Sequence, residues 1–175
     1  MMEDGAVSSP PTAPQVHALG LGHAEIRVGD TVITPTSDRL FALTFHLCLR
    51  AGEDIARDEL VALFWGDVPP TKGRHSLRQM LYRLRQMGLP LLDAGDAVRL
   101  PEAAVECDVR EVLREGWELD APAEMVRAGG ERILGGPLDV SDDYRDWYDA
   151  TEARVRAQVR RAALKHLSAA RREGR

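Results

Sequence analysis

The segment "DRLFALTFHLCLRA", residues 38–51, is apolar on almost every side when wound as a helix. Such a helix has no face to give to water, so the rest of the chain must surround it. Ser37 occupies the position of an N-cap before it, and Gly52 supplies a C-terminal stop. A length of 175 residues with 44% hydrophobic content provides material for one ordinary domain or two small ones, enough to build a core around that helix.

The flanking segments supply candidate covers. "VHALGL" and "AEIRV" read as short strands, and the "GD" turn at 29–30 leads into "TVIT", which together predict a small antiparallel meander. Three strands of this length do not stand alone and must pack on a helix. A second helix is expected in "RDELVALFWG", closed by Gly66, with "VPP" blocking its continuation. A third runs from about Thr71 to Met87 and stops at "GLP"; "PLLD" and "AVRLP" around "AGD" then read as a hairpin. Residues 1–15, rich in Pro, Ser and Thr, read as a flexible tail. From Glu102 the pattern reads as wholly helical: "AAVECDVREVLREG", "APAEMVRAGGERIL", a "GGP" break, and a last helix from about Asp142 to Arg172. Tyr144, Trp147, Tyr148, Val155, Val159 and Ala162 form the apolar stripe of that last helix.

Charge is distributed unevenly. The chain carries net charge −5, yet "KGRHSLRQMLYRLRQMG", Lys72 to Gly88, holds five cations and no carboxylate. By contrast, residues 102–147 hold five cations and thirteen anions, and 148–175 hold eight cations and three anions. At 100° per residue, Leu77, Met80, Leu81, Leu84 and Met87 of the basic segment share one arc of about 120° and form its core face. The opposite face centres on His75, Gln79, Tyr82 and Gln86, with Arg74, Arg78 and Arg85 along one shoulder and Lys72 and Arg83 along the other. Double-stranded DNA asks for this layout, because cations neutralise phosphates on both walls of the major groove while polar side chains meet base edges between them. In a helix-turn-helix the second helix of the motif inserts its N-terminal part. On that geometry His75, Arg78 and Gln79 are the expected base readers, and Lys72, Arg74, Tyr82, Arg83 and Arg85 the expected phosphate contacts. An ordinary solvated basic face accounts for the same residues, so the segment alone leaves both readings open.

Other chemistry finds little support. His46 and Cys48 lie two apart in an apolar helix and point in different directions, so they read as packed side chains and not as metal ligands. Cys48 and Cys107 lack a CxxC pattern and read as reduced and half-buried. Glu106, Asp108, Glu111 and Glu115 read as a solvated acidic face, and Trp65 and Trp147 as core. No phosphate-binding glycine loop, GxSxG or HExxH is present, so no enzyme and no cofactor is expected. Without an apolar run of about 18 residues or a signal sequence, the expectation is a cytoplasmic protein with no membrane partner.

The joined segment "LRAGEDIARDELVALFWGDVPPTKGRHSLRQMLYRLRQMG" resembles the OmpR-type winged-helix domain of the Streptomyces antibiotic regulatory protein family. The matching residues are Arg57 to Leu60, Trp65 and Gly66, Pro69 and Pro70, and Arg83 to Arg85. Downstream, "ILGGPLDVSDDYRDWYDATEARVRAQVRRAALKHLSAARREGR" is similar to the early part of that family's bacterial transcriptional activator domain. The resemblance implies an α+β fold: a winged helix-turn-helix of three helices with a small antiparallel sheet and a wing over residues 16–101. An all-α, tetratricopeptide-like subdomain follows over 102–175, cut short relative to the family. It also implies a transcriptional activator that binds double-stranded DNA and engages RNA polymerase; a homodimer through residues 105–175 is a further expectation. Relatives usually carry Ser or Thr where Ala56 stands, and a Gly-Tyr pair where Ala97 and Val98 precede Arg99 and Leu100, which leaves Arg99 as the wing's candidate phosphate contact. The alternative function is a protein-interaction or signalling module that keeps the fold without reading DNA.

Overall fold

The computed structural model describes residues 15–35 and 37–172. The flexible tail expected over residues 1–15 lies, Gln15 apart, outside the described residues.

Strands β1 (Val16–Leu19), β2 (Glu25–Val28) and β3 (Thr31–Ile33) form the antiparallel meander, with Val16 opposite Val28 and Ile26 opposite Ile33. Gly29, at φ 53°, makes the turn between β2 and β3, a conformation that glycine adopts without steric cost. The inward side chains Val16, Ala18, Ile26, Val28 and Ile33 are buried. Helix α1 (Asp38–Leu49) packs with them, and every residue from Leu40 to Cys48 is buried. The helix without a polar face is thus the centre of the fold. Ser37 stands at its N-cap but makes no side-chain capping bond; its carbonyl accepts from Phe41 N–H at 3.0 Å.

After α1 a two-residue strand, β4 (Ile55–Ala56), leads directly into α2 (Arg57–Trp65), and α3 (Pro70–Gln86) follows. The hairpin β5 (Leu92–Ala94) and β6 (Ala97–Arg99) returns to pair with β4, giving a second sheet in the order β4-β6-β5. The sequence reading lacked β4, since two residues offer no period to detect.

The helical reading beyond Glu102 needs correction. "AAVECDVREVLREG" forms a 3₁₀ turn at Glu102–Ala104, then β7 (Val105–Cys107), then the short α4 (Asp108–Val112). Strand β7 pairs in parallel with β1, with Val16 opposite Val105 and Ala18 opposite Cys107, and extends the first sheet to the order β3-β2-β1-β7. Val105 and Cys107 are buried while Glu106 is exposed, an alternation of period two. Over three residues that signal is weaker than the helical periodicity around it, and only pairing with β1 selects the strand. In "APAEMVRAGGERIL" the helix α5 is likewise only Ala123–Ala128. It ends at Gly129, where an added Cβ would lie 2.5 Å from Val159 Cγ2, so glycine here lets the chain pass close to the last helix.

Helix α6 (Asp142–Arg172) runs for 31 residues, about 46 Å. Tyr144, Tyr148, Val155, Val159 and Ala162 of its stripe are buried and Trp147 is half-buried. One contiguous set of buried side chains extends from Val16 to Ala162 and crosses residue 101 without a break. Backbone bonds from Gln15 N–H to Ala104 O (3.0 Å) and from Gly52 N–H to Leu100 O (2.8 Å) hold the segments on either side of that residue. None of the described helices is long and apolar enough to cross a membrane.

Candidate nucleic-acid interface

Helix α3 begins with Pro70 at its first position, where the missing N–H costs nothing and the ring sets φ for helix entry. Leu77, Leu81 and Leu84 are buried and Met80 and Met87 half-buried, which places the predicted core face inward. Gly73 faces α2 so closely that a Cβ would stand 2.7 Å from Val61 Cγ1 and 3.2 Å from Trp65 Cβ. Trp65 itself is buried beside this contact, with the Arg39 guanidinium 5.6 Å from its ring centroid. Its place is the junction of α1, α2 and α3, so it seats α3 on the other two helices. Arg83 and Arg85 lie in the last turn, where cations interact favourably with the helix dipole.

The outer face carries His75, Gln79, Tyr82 and Gln86, all exposed, and Tyr82 shows 64% of its surface. Among the described residues, the side chains of Lys72, Arg78 and Arg83 make no hydrogen bond or ion pair, and all three residues are exposed. Arg74 and Arg85 differ. Arg74 donates from Nε and Nη2 to the two carboxylate oxygens of Asp58 at 2.9 and 3.2 Å, which holds the Asp58 carboxyl below its usual range. Arg85 donates to Asp93 Oδ1 at 2.7 Å, and the same oxygen accepts from Arg57 Nη2. Arg57 also donates to Gly95 O at 2.8 Å, tying the start of α2 to the turn of the β5–β6 hairpin. Arg99, at the end of β6 remote from that turn, is held by Asp54 through two bonds of 2.7 and 2.6 Å.

The basic segment therefore contains no carboxylate of its own, but the fold brings two to it. Asp58 comes from α2 and Asp93 from β5, sixteen and eight residues from their arginine partners. No spacing in the sequence announced either one. They line a groove of about 620 Å³ beside α3, floored by Leu77 and Leu81 and edged by Arg74 and Arg78. Arg74, Arg78 and Arg85 form the shoulder on this groove; Lys72 and Arg83 occupy the other.

Away from α3, His46 is buried with its ring edge-on to Phe64 and Trp147, at centroid distances of 5.6 and 4.9 Å. Cys48 and Cys107 are free thiols and buried, not half-buried, and burial pushes both upward in pKa, Cys107 to about 12. Of the carboxylates read as a solvated face, Asp108 is an exception. It accepts from Gly20 N–H at 2.8 Å, Leu21 N–H at 3.0 Å and Val109 N–H at 2.6 Å. It fastens the end of β1 to the start of α4.

Three helices with the third projecting a cationic outer face, flanked by a sheet on one side and a β-hairpin on the other, define a winged helix-turn-helix, here continued by a helical part that ends in α6. No family model matches the chain. It is 30% identical over 140 residues to the regulatory protein AfsR of Streptomyces griseus, a match that covers 78% of this chain and 14% of that relative. In fold it is similar to Mycobacterium tuberculosis EmbR, solved in complex with a low-affinity phosphopeptide, at a TM-score of 0.54 and 19% identity, covering 87% of this chain and 44% of EmbR. The chain is thus similar to regulators of the Streptomyces antibiotic regulatory protein type, as its motifs implied, and spans about a seventh of the length of AfsR.

Proposed function

We propose that this chain is a sequence-specific DNA-binding transcriptional regulator that lays α3 in the major groove. The observation that carries this reading is the outer face of α3. His75, Gln79, Tyr82 and Gln86 form an exposed polar strip between two rows of cations, and Lys72, Arg78 and Arg83 have no partner among the described residues. Side chains left open to solvent in this pattern suit phosphate neutralisation on both groove walls with base-edge contacts between. His75, Arg78 and Gln79, near the N-terminal half of α3, are the proposed base readers. Lys72, Arg74, Tyr82, Arg83 and Arg85 are the proposed phosphate contacts, with Arg99 joining them from the hairpin.

Similarity to AfsR supports a regulatory role. Activation through RNA polymerase, and pairing of two chains through residues 105–175 to occupy two half-sites, belong to the same proposal. Selection of random duplex DNA on the purified chain, followed by affinity titrations across a salt series, tests it. A recurrent motif bound well above scrambled DNA, with a salt slope corresponding to a handful of phosphates, is the expected result. Absence of enrichment, with equal affinity for all duplexes, refutes specific reading.

A second reading, a protein-interaction module, is favoured by one feature of α6. From Ala153 to Arg172 that helix holds seven cations and no carboxylate, and Leu164 and Leu167 are 56% and 58% exposed among them. The selection experiment separates the two readings.

A further inference from the structure

The two shoulders of α3 are electrically different. On one, Lys72 and Arg83 are bare. On the other, Arg74 is paired with Asp58 and Arg85 shares Asp93 with Arg57, while Arg78 between them has no partner among the described residues. We propose that Asp58 and Asp93 are specificity-determining internal counter-ions: they restrain the groove-side arginines of α3 so that these cations engage DNA phosphate in one register only. This rests on the DNA-binding reading above and deepens it.

The argument is geometric and energetic. Asp58 takes Arg74 side-on through Nε and Nη2, leaving the two N–H groups of Nη1 and the second of Nη2 as open donors and fixing the plane of the guanidinium. Asp93 bridges Arg57 of α2 and Arg85 of α3 and so sets the hairpin against the helix as well as restraining Arg85. Both carboxylates are largely exposed, at 72% and 60% of their side-chain surface. Exposed pairs of this kind are weak, so a phosphate placed correctly competes with them readily. A phosphate placed elsewhere meets an arginine whose charge is already compensated and whose guanidinium is held in another direction. Non-specific binding depends almost wholly on phosphate neutralisation, whereas specific binding adds base contacts that the carboxylates leave untouched. Counter-ions on one shoulder therefore weaken wrong complexes more than right ones.

The test uses the full chain and two probes, the duplex enriched by selection and a scrambled duplex of equal length, titrated by fluorescence anisotropy over a salt series. Asp58→Asn is expected to tighten the scrambled duplex about threefold and the selected duplex less, lowering the ratio between them. Asp93→Asn is expected to act in the same direction. Asp149→Asn, an equal charge change on an exposed residue of α6, is expected to leave the ratio unchanged. In an Arg74→Ala background the effect of Asp58→Asn is expected to vanish, because the carboxylate acts through that arginine. If Asp58→Asn and Asp149→Asn behave alike, or if the effect survives without Arg74, the counter-ion role is overturned while DNA reading stands. If the wild-type chain prefers no duplex over another, DNA reading itself fails, and the counter-ion role falls with it.

Discussion

The His46 ring meets Trp147 edge-on with centroids 4.9 Å apart, joining α1 in the middle of the winged helix to α6 in the helical part. Tyr144 continues the contact, 5.4 Å from Trp147 and 5.7 Å from Phe64 of α2. An aromatic cluster therefore links the helix that seats α3 to the long C-terminal helix. Trp147, read from the sequence as core, is half-buried and closes the boundary between the two parts. Neither imidazole nitrogen of His46 has a hydrogen-bond partner among the described residues.

Burial, followed by the nearby Arg50 charge, lowers His46 to a pKa of about 3. Because the folded value lies below the unfolded value of about 6.5, the unfolded chain takes up the proton first as the pH falls. Stability from the neutral ring is complete above about pH 6.5 and is lost progressively down to about pH 3, at up to about 1.4 kcal/mol per pH unit. His46→Leu removes this slope and, by replacing an unpartnered polar ring with an apolar side chain of similar size, should stabilise the chain by about 1 kcal/mol at pH 7. Urea unfolding of both proteins between about pH 4 and about pH 8 measures both effects. Parallel pH profiles would show that His46 does not govern the slope.

Gly73→Ala should lower stability even though alanine favours a helix by about 1 kcal/mol. The new methyl group meets Val61 Cγ1 at 2.7 Å and the base of Trp65 at 3.2 Å, contacts against a branched side chain and a Cβ that yield little. Overpacking of this kind costs about 1–3 kcal/mol, so the net change expected is a loss of about 1 kcal/mol. The displaced helix should also bind the selected duplex less tightly. Thermal unfolding and anisotropy on the same preparation check the two together, and a more stable variant would contradict the packing argument.

Asp108→Ala should be more damaging than Asp108→Asn. The alanine leaves the amides of Gly20 and Leu21 without their acceptor, at a cost of about 1–3 kcal/mol, whereas asparagine retains one oxygen. Hydrogen exchange at those two amides reads the change locally, with faster exchange expected in Asp108→Ala than in Asp108→Asn.

Arg78→Ala should cost about 1–3 kcal/mol of affinity for the selected duplex and relax the preference at one or two base pairs. Arg83→Ala, on the bare shoulder, should weaken every duplex and reduce the salt slope by about one. Repeating the selection with each variant distinguishes a base reader from a phosphate contact; identical enriched motifs from Arg78→Ala and the wild type would remove Arg78 from the reading set.

The sequence by itself determined those features whose cause is local or periodic. An apolar surface all round residues 38–51 could end only in the centre of the core, and the arc of Leu77, Leu81 and Leu84 fixed which side of α3 turns outward. Glycine and proline set where α2 and α3 end, and the stripe from Tyr144 to Ala162 set the course of α6. Tertiary structure alone decided what depends on a distant partner. Val105–Cys107 is a strand because β1 offers an unpaired edge, although its local pattern is helical, and β4 exists only because β6 lies beside it. The electrical character of α3 has the same origin: the charges of Arg74 and Arg85 are local, but their compensation by Asp58 and Asp93 arises from the way α2 and β5 pack, a relation between places in space that no spacing along the chain encodes.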